Sequence, residues 1–155
     1  MPVLADIALP SPDATAALAR QLAGRVAPGD CLLLAGTLGA GKSHFARAMI
    51  RALTGNPSED VPSPTYTLVQ TYDAPAGEIW HADLYRLGGP QETDELGLAA
   101  AFDSAICLIE WPDRLGPDSP AGAIRLHFTV TGDDSRRLTV DCPVATAVRL
   151  GLAGG

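Results

Sequence analysis

The residues that could do chemistry begin with Gly36-Thr37-Leu38-Gly39-Ala40-Gly41-Lys42-Ser43, which fits the pattern G-x-x-x-x-G-K-[ST]. That spacing suits the binding of a polyphosphate. The glycines let the backbone curl until successive N–H groups face one anion, and a following helix adds its N-terminal N–H groups and dipole. Lys42 has the reach to meet β- and γ-phosphates, and the Ser43 hydroxyl is a ligand for Mg²⁺. In this reading Thr37, Leu38, Gly39, Ala40, Gly41, Lys42, Ser43 and His44 line the phosphates, His44 through its backbone N–H. The plainer alternative is a glycine-rich surface turn beside an ordinary helix.

A phosphate loop needs groups that hold the metal and position a water or acceptor. Ile106-Cys107-Leu108-Ile109-Glu110 is an apolar run ending in an acid, the form of a Walker B strand, which makes Glu110 a second candidate metal ligand beside Ser43. In His81-Ala82-Asp83-Leu84-Tyr85 an extended chain would put His81, Asp83 and Tyr85 on one face. Asp83 would then hold a metal-bound water or orient the attacking one; a simply wet hairpin face is the competing reading. Thr65, in Ser63-Pro64-Thr65-Tyr66-Thr67, is a candidate sensor of γ-phosphate and Mg²⁺, or else part of a loop leading into a strand. Trp111 either caps the site or packs in the core.

The elements that must position these residues are legible in outline. Ser11-Pro12-Asp13 reads as a helix start, and the Ala/Leu-rich segment from Ala14 to Val26 continues it until Pro28-Gly29-Asp30. Cys31 to Ala35 reads as a buried strand, and Lys42 to Leu53 as a helix closed by Thr54-Gly55-Asn56-Pro57. Thr65–Tyr72 and Ile79–Leu87 read as an antiparallel hairpin, and Gln91–Phe102 as short helical turns. Ala105 to Ile109 is another buried strand; Ile124–Val130 and Arg137–Asp141 form a last hairpin, and Val144–Leu152 a terminal helix. This order predicts one α/β domain over residues 1–155, of P-loop NTPase type, with a mixed central sheet flanked by helices and the phosphate site at the carboxyl ends of its strands.

Composition narrows the function classes. The 155 residues are 46% hydrophobic and 19% charged, as in an ordinary globular domain. No apolar run approaches the ~20 residues that span a bilayer, and the segment Met1–Asp6 lacks the features of a secretory signal, so no membrane role is expected. Cys31, Cys107 and Cys142 lack metal-ligand spacing and suit a reducing cytoplasm. The net charge of −7 argues against strong independent binding of nucleic acid. Arg125, Arg136 and Arg137 form a local basic group that could touch RNA or a nucleotide, although a solvated strand face is the favoured reading.

Taken together, G-T-L-G-A-G-K-S, S-P-T-Y-T-L (Ser63–Leu68), H-A-D-L-Y-R-L (His81–Leu87), E-L-G-L (Glu95–Leu98) and C-L-I-E-W-P (Cys107–Pro112) resemble, in order and spacing, the bacterial tRNA threonylcarbamoyladenosine biosynthesis ATPases, the TsaE (formerly YjeE) family. The resemblance runs from about residue 4 to at least 115. It implies an ATPase that uses ATP with Mg²⁺, is weak alone, and acts with TsaB and TsaD. Together they install threonylcarbamoyl on the adenosine next to the anticodon in tRNAs reading codons that begin with A, and tRNA is met indirectly through the complex. It further implies that Lys42 binds phosphate, Ser43 and Glu110 hold the metal, Asp83 and Thr65 are the family's functional acid and switch-like threonine, and Tyr85 and Trp111 are aromatics near the site or partner surface. Thr37 stands where an acid is more usual and Ser43 where Thr is; either hydroxyl ligates Mg²⁺. Two other classes compete: a small-molecule P-loop kinase, which would carry an arginine-rich lid not visible here, and a nucleotide-gated binding module with incidental hydrolysis.

Overall fold

The computed structural model describes residues 2–37, 39–64, 67–87, 91–92 and 96–152. Leu38 and Thr65, both candidate site residues, lie outside them. The described chain forms one seven-stranded sheet: β1 (Pro2–Leu9), β2 (Cys31–Gly36), β3 (Val69–Ala74), β4 (Gly77–Asp83), β5 (Ile106–Glu110), β6 (Ile124–Val130) and β7 (Arg136–Pro143), in the order β1-β7-β6-β2-β5-β4-β3. The central strands β6, β2, β5 and β4 are parallel; β7 and β1 on one side and β3 on the other run antiparallel to their neighbours. The sheet is therefore mixed, as the sequence predicts.

The parallel centre follows from continuous apolar runs. Cys31 to Leu34 and Ile106 to Ile109 are buried throughout, as strands covered on both faces must be. Alternation sends Leu32, Leu34, Ile106 and Leu108 to one face, and Cys31, Leu33, Cys107 and Ile109 to the other. Helices α1 (Pro12–Ala23), α2 (Lys42–Thr54) and α4 (Val144–Leu150) cover the first face; α3 (Leu98–Ser104) and the 3₁₀ segment Pro112–Asp118 cover the second. Each large apolar side chain buried in this way contributes about 1.5–3 kcal/mol. Phe45 of α2 meets Phe128 of β6 edge to face at 5.5 Å, fixing the phosphate-loop helix on the sheet.

Local chemistry sets the helix ends. The Ser11 side chain accepts from the Ala14 N–H at 3.1 Å, with Pro12 in the first turn of α1. Gly55, left-handed at φ 71°, ends α2. Two sequence expectations need correction, and one strand had no sequence expectation. β1 was not anticipated; it pairs along its whole length with β7 at the edge of the sheet. β3 begins at Val69, so Thr67 and Leu68 of the expected strand lie before it, because Leu68 takes φ 71°, which no strand accommodates. β4 ends at Asp83, so Tyr85 leaves the face shared by His81 and Asp83 and is exposed. Among the described residues no helix is long and apolar enough to cross a membrane.

Candidate active site

β2 and β5 are adjacent and parallel, with Leu34 opposite Glu110, and β4 lies on the far side of β5, with Asp83 opposite Glu110. The phosphate loop leaves the carboxyl end of β2, so it opens beside the two acids that end β5 and β4. The even face of β5 and the odd face of β4 both look toward α2. Glu110, His81 and Asp83 thus point to the loop, all three nearly or fully buried.

The turn itself depends on backbone conformation. Gly36 has φ 141°, and a Cβ there would lie 2.6 Å from the Phe128 carbonyl oxygen of β6. Gly39 and Gly41 also take positive φ, and Gly41 opens α2 with no side-chain cap. The first N–H groups of α2 therefore have no partner within the helix and face the site.

Lys42 is buried; its Nζ donates to the Gly36 carbonyl at 2.5 Å and sits 3.5 Å from the centroid of the Trp111 ring. Burial pushes the Lys42 ammonium below its ordinary value of 10.5, while the carboxylates of Glu110, Asp83 and Asp113 oppose that shift. Ser43 Oγ donates to Glu110 Oε1 at 2.8 Å, and Glu110 Oε2 lies 2.6 Å from His81 Nε2. Asp83 Oδ1 accepts the Tyr85 N–H at 3.0 Å. Trp111, immediately after Glu110, takes φ 59°, and its ring meets that of Tyr85 at 4.8 Å. This contact brings Tyr85 to the rim of the site although its strand has ended.

A cavity of about 480 Å³ joins these groups. Gly39, Gly41, Lys42, Ser43, His44, Ser63, Asp83, Glu110 and Trp111 line it from the loop side, and the β6–β7 turn closes it with Asp133, Asp134 and Arg136. Of the remaining sequence candidates, Thr37 is exposed and Ala40 is buried in the core. The His44 ring nitrogen Nε2 is 2.9 Å from the Pro12 carbonyl, so the ring faces α1 rather than the phosphates. Ser63 brings the loop before Thr65 to the cavity.

Sequence reasoning missed two features. The basic group Arg125, Arg136 and Arg137 is not one face. Arg137 is exposed and paired with Asp6 at 2.6 Å, whereas Arg136 reaches across to the phosphate loop and donates to the Gly39 carbonyl at 3.0 Å. The carbonyls of Gly132, Asp133 and Ser135 accept from its other terminal nitrogen. No local signal marks this contact, because it joins segments 97 residues apart. The second is the pairing of His81 with Glu110, which alternation within one strand does not disclose.

The chain is similar to known proteins along most of its length. The family model for the threonylcarbamoyl adenosine biosynthesis protein TsaE matches residues 9–138. The tRNA threonylcarbamoyladenosine biosynthesis protein TsaE of Rickettsia bellii is 38% identical over 128 residues, 83% of this chain and 88% of that protein. The protein of the same name from Bacillus subtilis is 33% identical over 130 residues, covering 83% and 80% of the two chains. The crystal structure of Bacillus subtilis YdiB superposes with a TM-score of 0.76 at 26% identity, over 97% of this chain and 93% of that one. With its phosphate loop, its acid-tipped neighbouring strands and this match along most of its length, the chain belongs to the TsaE family of threonylcarbamoyl adenosine biosynthesis proteins.

Proposed function

We propose that the protein is a single-domain, Mg²⁺-dependent ATPase that acts in the cytoplasm with TsaB and TsaD in threonylcarbamoylation of the adenosine next to the anticodon in tRNAs reading codons beginning with A. Family membership supports the pathway. The observation that carries the ATPase reading is the 2.8 Å contact between Ser43 and Glu110, which joins the hydroxyl following the loop lysine to the acid ending the next strand.

These two hard oxygen donors fit Mg²⁺, and Ser43 and Glu110 would hold it. The metal would neutralise charge on the β- and γ-phosphates. The loop N–H groups, those of Gly39 to His44 together with Thr37 and Leu38, bind the phosphates; Lys42 adds a positive charge at the same place. Asp83, beside Glu110 in the strand register, orients the attacking water. Thr65 is assigned the γ-phosphate-sensing hydroxyl from its position in the family motif. Tethering by these groups lowers the barrier through placement and fixed charge rather than through a covalent intermediate. Partner binding then completes a site that is slow alone, and tRNA is met through the complex.

Phosphate release by the purified protein, alone and with TsaB–TsaD and tRNA, tests this reading. Slow hydrolysis that accelerates with the partners is expected. Glu110→Ala should keep ATP affinity and lose turnover. If that variant still supports repeated rounds of tRNA modification, hydrolysis is incidental and the protein is a nucleotide-gated module.

A further inference from the structure

Outside the phosphate-binding cavity, a second hollow of about 500 Å³ runs between α1 and α2. Arg20 of α1 and Arg47 and Arg51 of α2 form its walls, Ala16 and Ala48 lie among its lining, and His44 stands at the end it shares with the nucleotide cavity. Among the described residues no carboxylate lines it. In a chain of net charge −7 with 11 lysines and arginines, three arginines converging on one groove is a marked local reversal of sign.

The arginines are also arranged for use. Arg47 and Arg51 are one helical turn apart and share a face. Arg47 Nε donates to the Val61 carbonyl at 3.5 Å and Arg51 Nε to the Glu59 carbonyl at 3.0 Å, which orients both guanidinium planes. Arg20 is exposed, and among the described residues none of the three forms a salt bridge. Guanidinium groups bind carboxylates and phosphates alike through paired N–H donors. The rest of the lining distinguishes the two. Ala16, Ala48 and Ala52 offer apolar surface that small apolar side chains can cover and a sugar-phosphate backbone cannot. The overall negative charge further disfavours nucleic acid.

We propose that this groove docks an acidic segment of a partner protein, one that combines carboxylates for the arginines with small apolar side chains for the alanines. The proposal rests on the reading that the protein works in a partner complex, and it locates where that complex seats. A segment in the groove would abut His44, whose ring bonds to Pro12 and whose helix begins at the phosphate loop, so docking and nucleotide binding would share one helix.

The test uses the full chain, the reconstituted TsaB–TsaD complex and tRNA, with Arg20→Glu as the main variant because Arg20 holds no other element in place. By calorimetric titration with ATP present, Arg20→Glu should bind the complex about tenfold more weakly than wild type, with the gap closing as salt rises. Arg20→Gln should fall between them. Unassisted phosphate release should be unchanged, and the melting temperature should fall only slightly, since the exchange removes a cation from the last turn of α1. Equal affinities of wild type and Arg20→Glu would overturn the groove and leave the partnership standing. A wild-type protein with no affinity for the complex would overturn the partnership, and the docking site with it. A defect seen only when tRNA is added would assign the groove to RNA, and self-association of the isolated chain abolished by Arg20→Glu would assign it to a second copy; either overturns the proposal.

Discussion

His81 Nε2 and Glu110 Oε2 lie 2.6 Å apart on neighbouring strands, and both side chains are buried. The other Glu110 oxygen accepts from Ser43, so one carboxylate joins β4, β5 and the first turn of α2. His81 Nδ1 is buried, with no hydrogen-bond partner among the described residues. An ionised carboxylate can only accept, so the pairing makes His81 Nε2 the donor. His81 acts here as a positioning residue for Glu110. His81→Ala leaves a buried carboxylate short of a donor, at a cost of about 1–3 kcal/mol. Urea unfolding should show that loss. Phosphate release should fall more than ATP affinity, because Lys42 and the loop N–H groups remain. Wild-type turnover in this variant would remove His81 from the support of Glu110.

Gly36 and Gly39 both take positive φ, yet substitutions at the two should differ sharply. At Gly36 an added Cβ meets the Phe128 carbonyl oxygen at 2.6 Å, and φ is 141°. At Gly39, with φ 80°, nothing lies within 4 Å. Gly39→Ala should cost about 1–2 kcal/mol of left-handed strain. Gly36→Ala should cost more, about 3 kcal/mol or above, because β2 must part from β6 as well. The same shift moves the carbonyl that holds Lys42, so ATP affinity should drop along with stability. Denaturant unfolding of the two variants side by side checks the order, and equal losses would contradict it.

Trp111 should report on the phosphate loop. Its ring lies under the Lys42 ammonium at 3.5 Å, a contact worth about 0.5–2 kcal/mol according to solvation. Phosphate drawn to Lys42 must compete for that ammonium. Binding of ATP should therefore change intrinsic tryptophan fluorescence. The chain has a second tryptophan, Trp80, which packs against the same core as Trp111 but does not line the cavity, and donates to Glu78 at 2.6 Å. Trp80→Phe should keep the ATP-induced change and Trp111→Phe should abolish it. A signal that survives in Trp111→Phe would separate Trp111 from the nucleotide.

How much of this was legible in the sequence depended on whether the determining contacts were local. The phosphate loop, the Ser11 cap, the apolar strands β2 and β5 and the two hairpins are written in short-range patterns, and the sequence reading finds each of them, though it carries β4 past Asp83 to Leu87. β1 is held by an edge pairing with β7, from the far end of the chain, including the Asp6–Arg137 contact, and carries no turn or capping signal of its own. Tyr85 was assigned to the His81 face by alternation, but alternation holds only while the strand does, and β4 ends at Asp83. Arg136 reaches the loop only because β6 neighbours β2 in the sheet, a relation of strand order that no window of sequence contains.

The three thiols predict how the fold responds to alkali. Cys31, Cys107 and Cys142 are free and buried. Burial pushes the Cys107 thiol up to about 12 from its ordinary value of 9.0, with Glu78 adding to the shift; Cys31 and Cys142 move in the same direction, also chiefly through burial. Below pH 9 both folded and unfolded chains keep these protons, and the thiols leave stability unchanged. Above it the unfolded chain loses protons that the folded chain retains, so the unfolded state is favoured and stability falls as pH rises toward the folded values. Each thiol contributes a slope of up to about 1.4 kcal/mol per pH unit in that window. Urea midpoints between pH 8 and 11 should decline accordingly, and Cys142→Ala should flatten the decline. In the same range a thiol-reactive dye should label the native protein only as fast as it unfolds. Rapid labelling at pH 8 without unfolding would show that a thiolate is accessible in the folded chain and would contradict the burial of these strands.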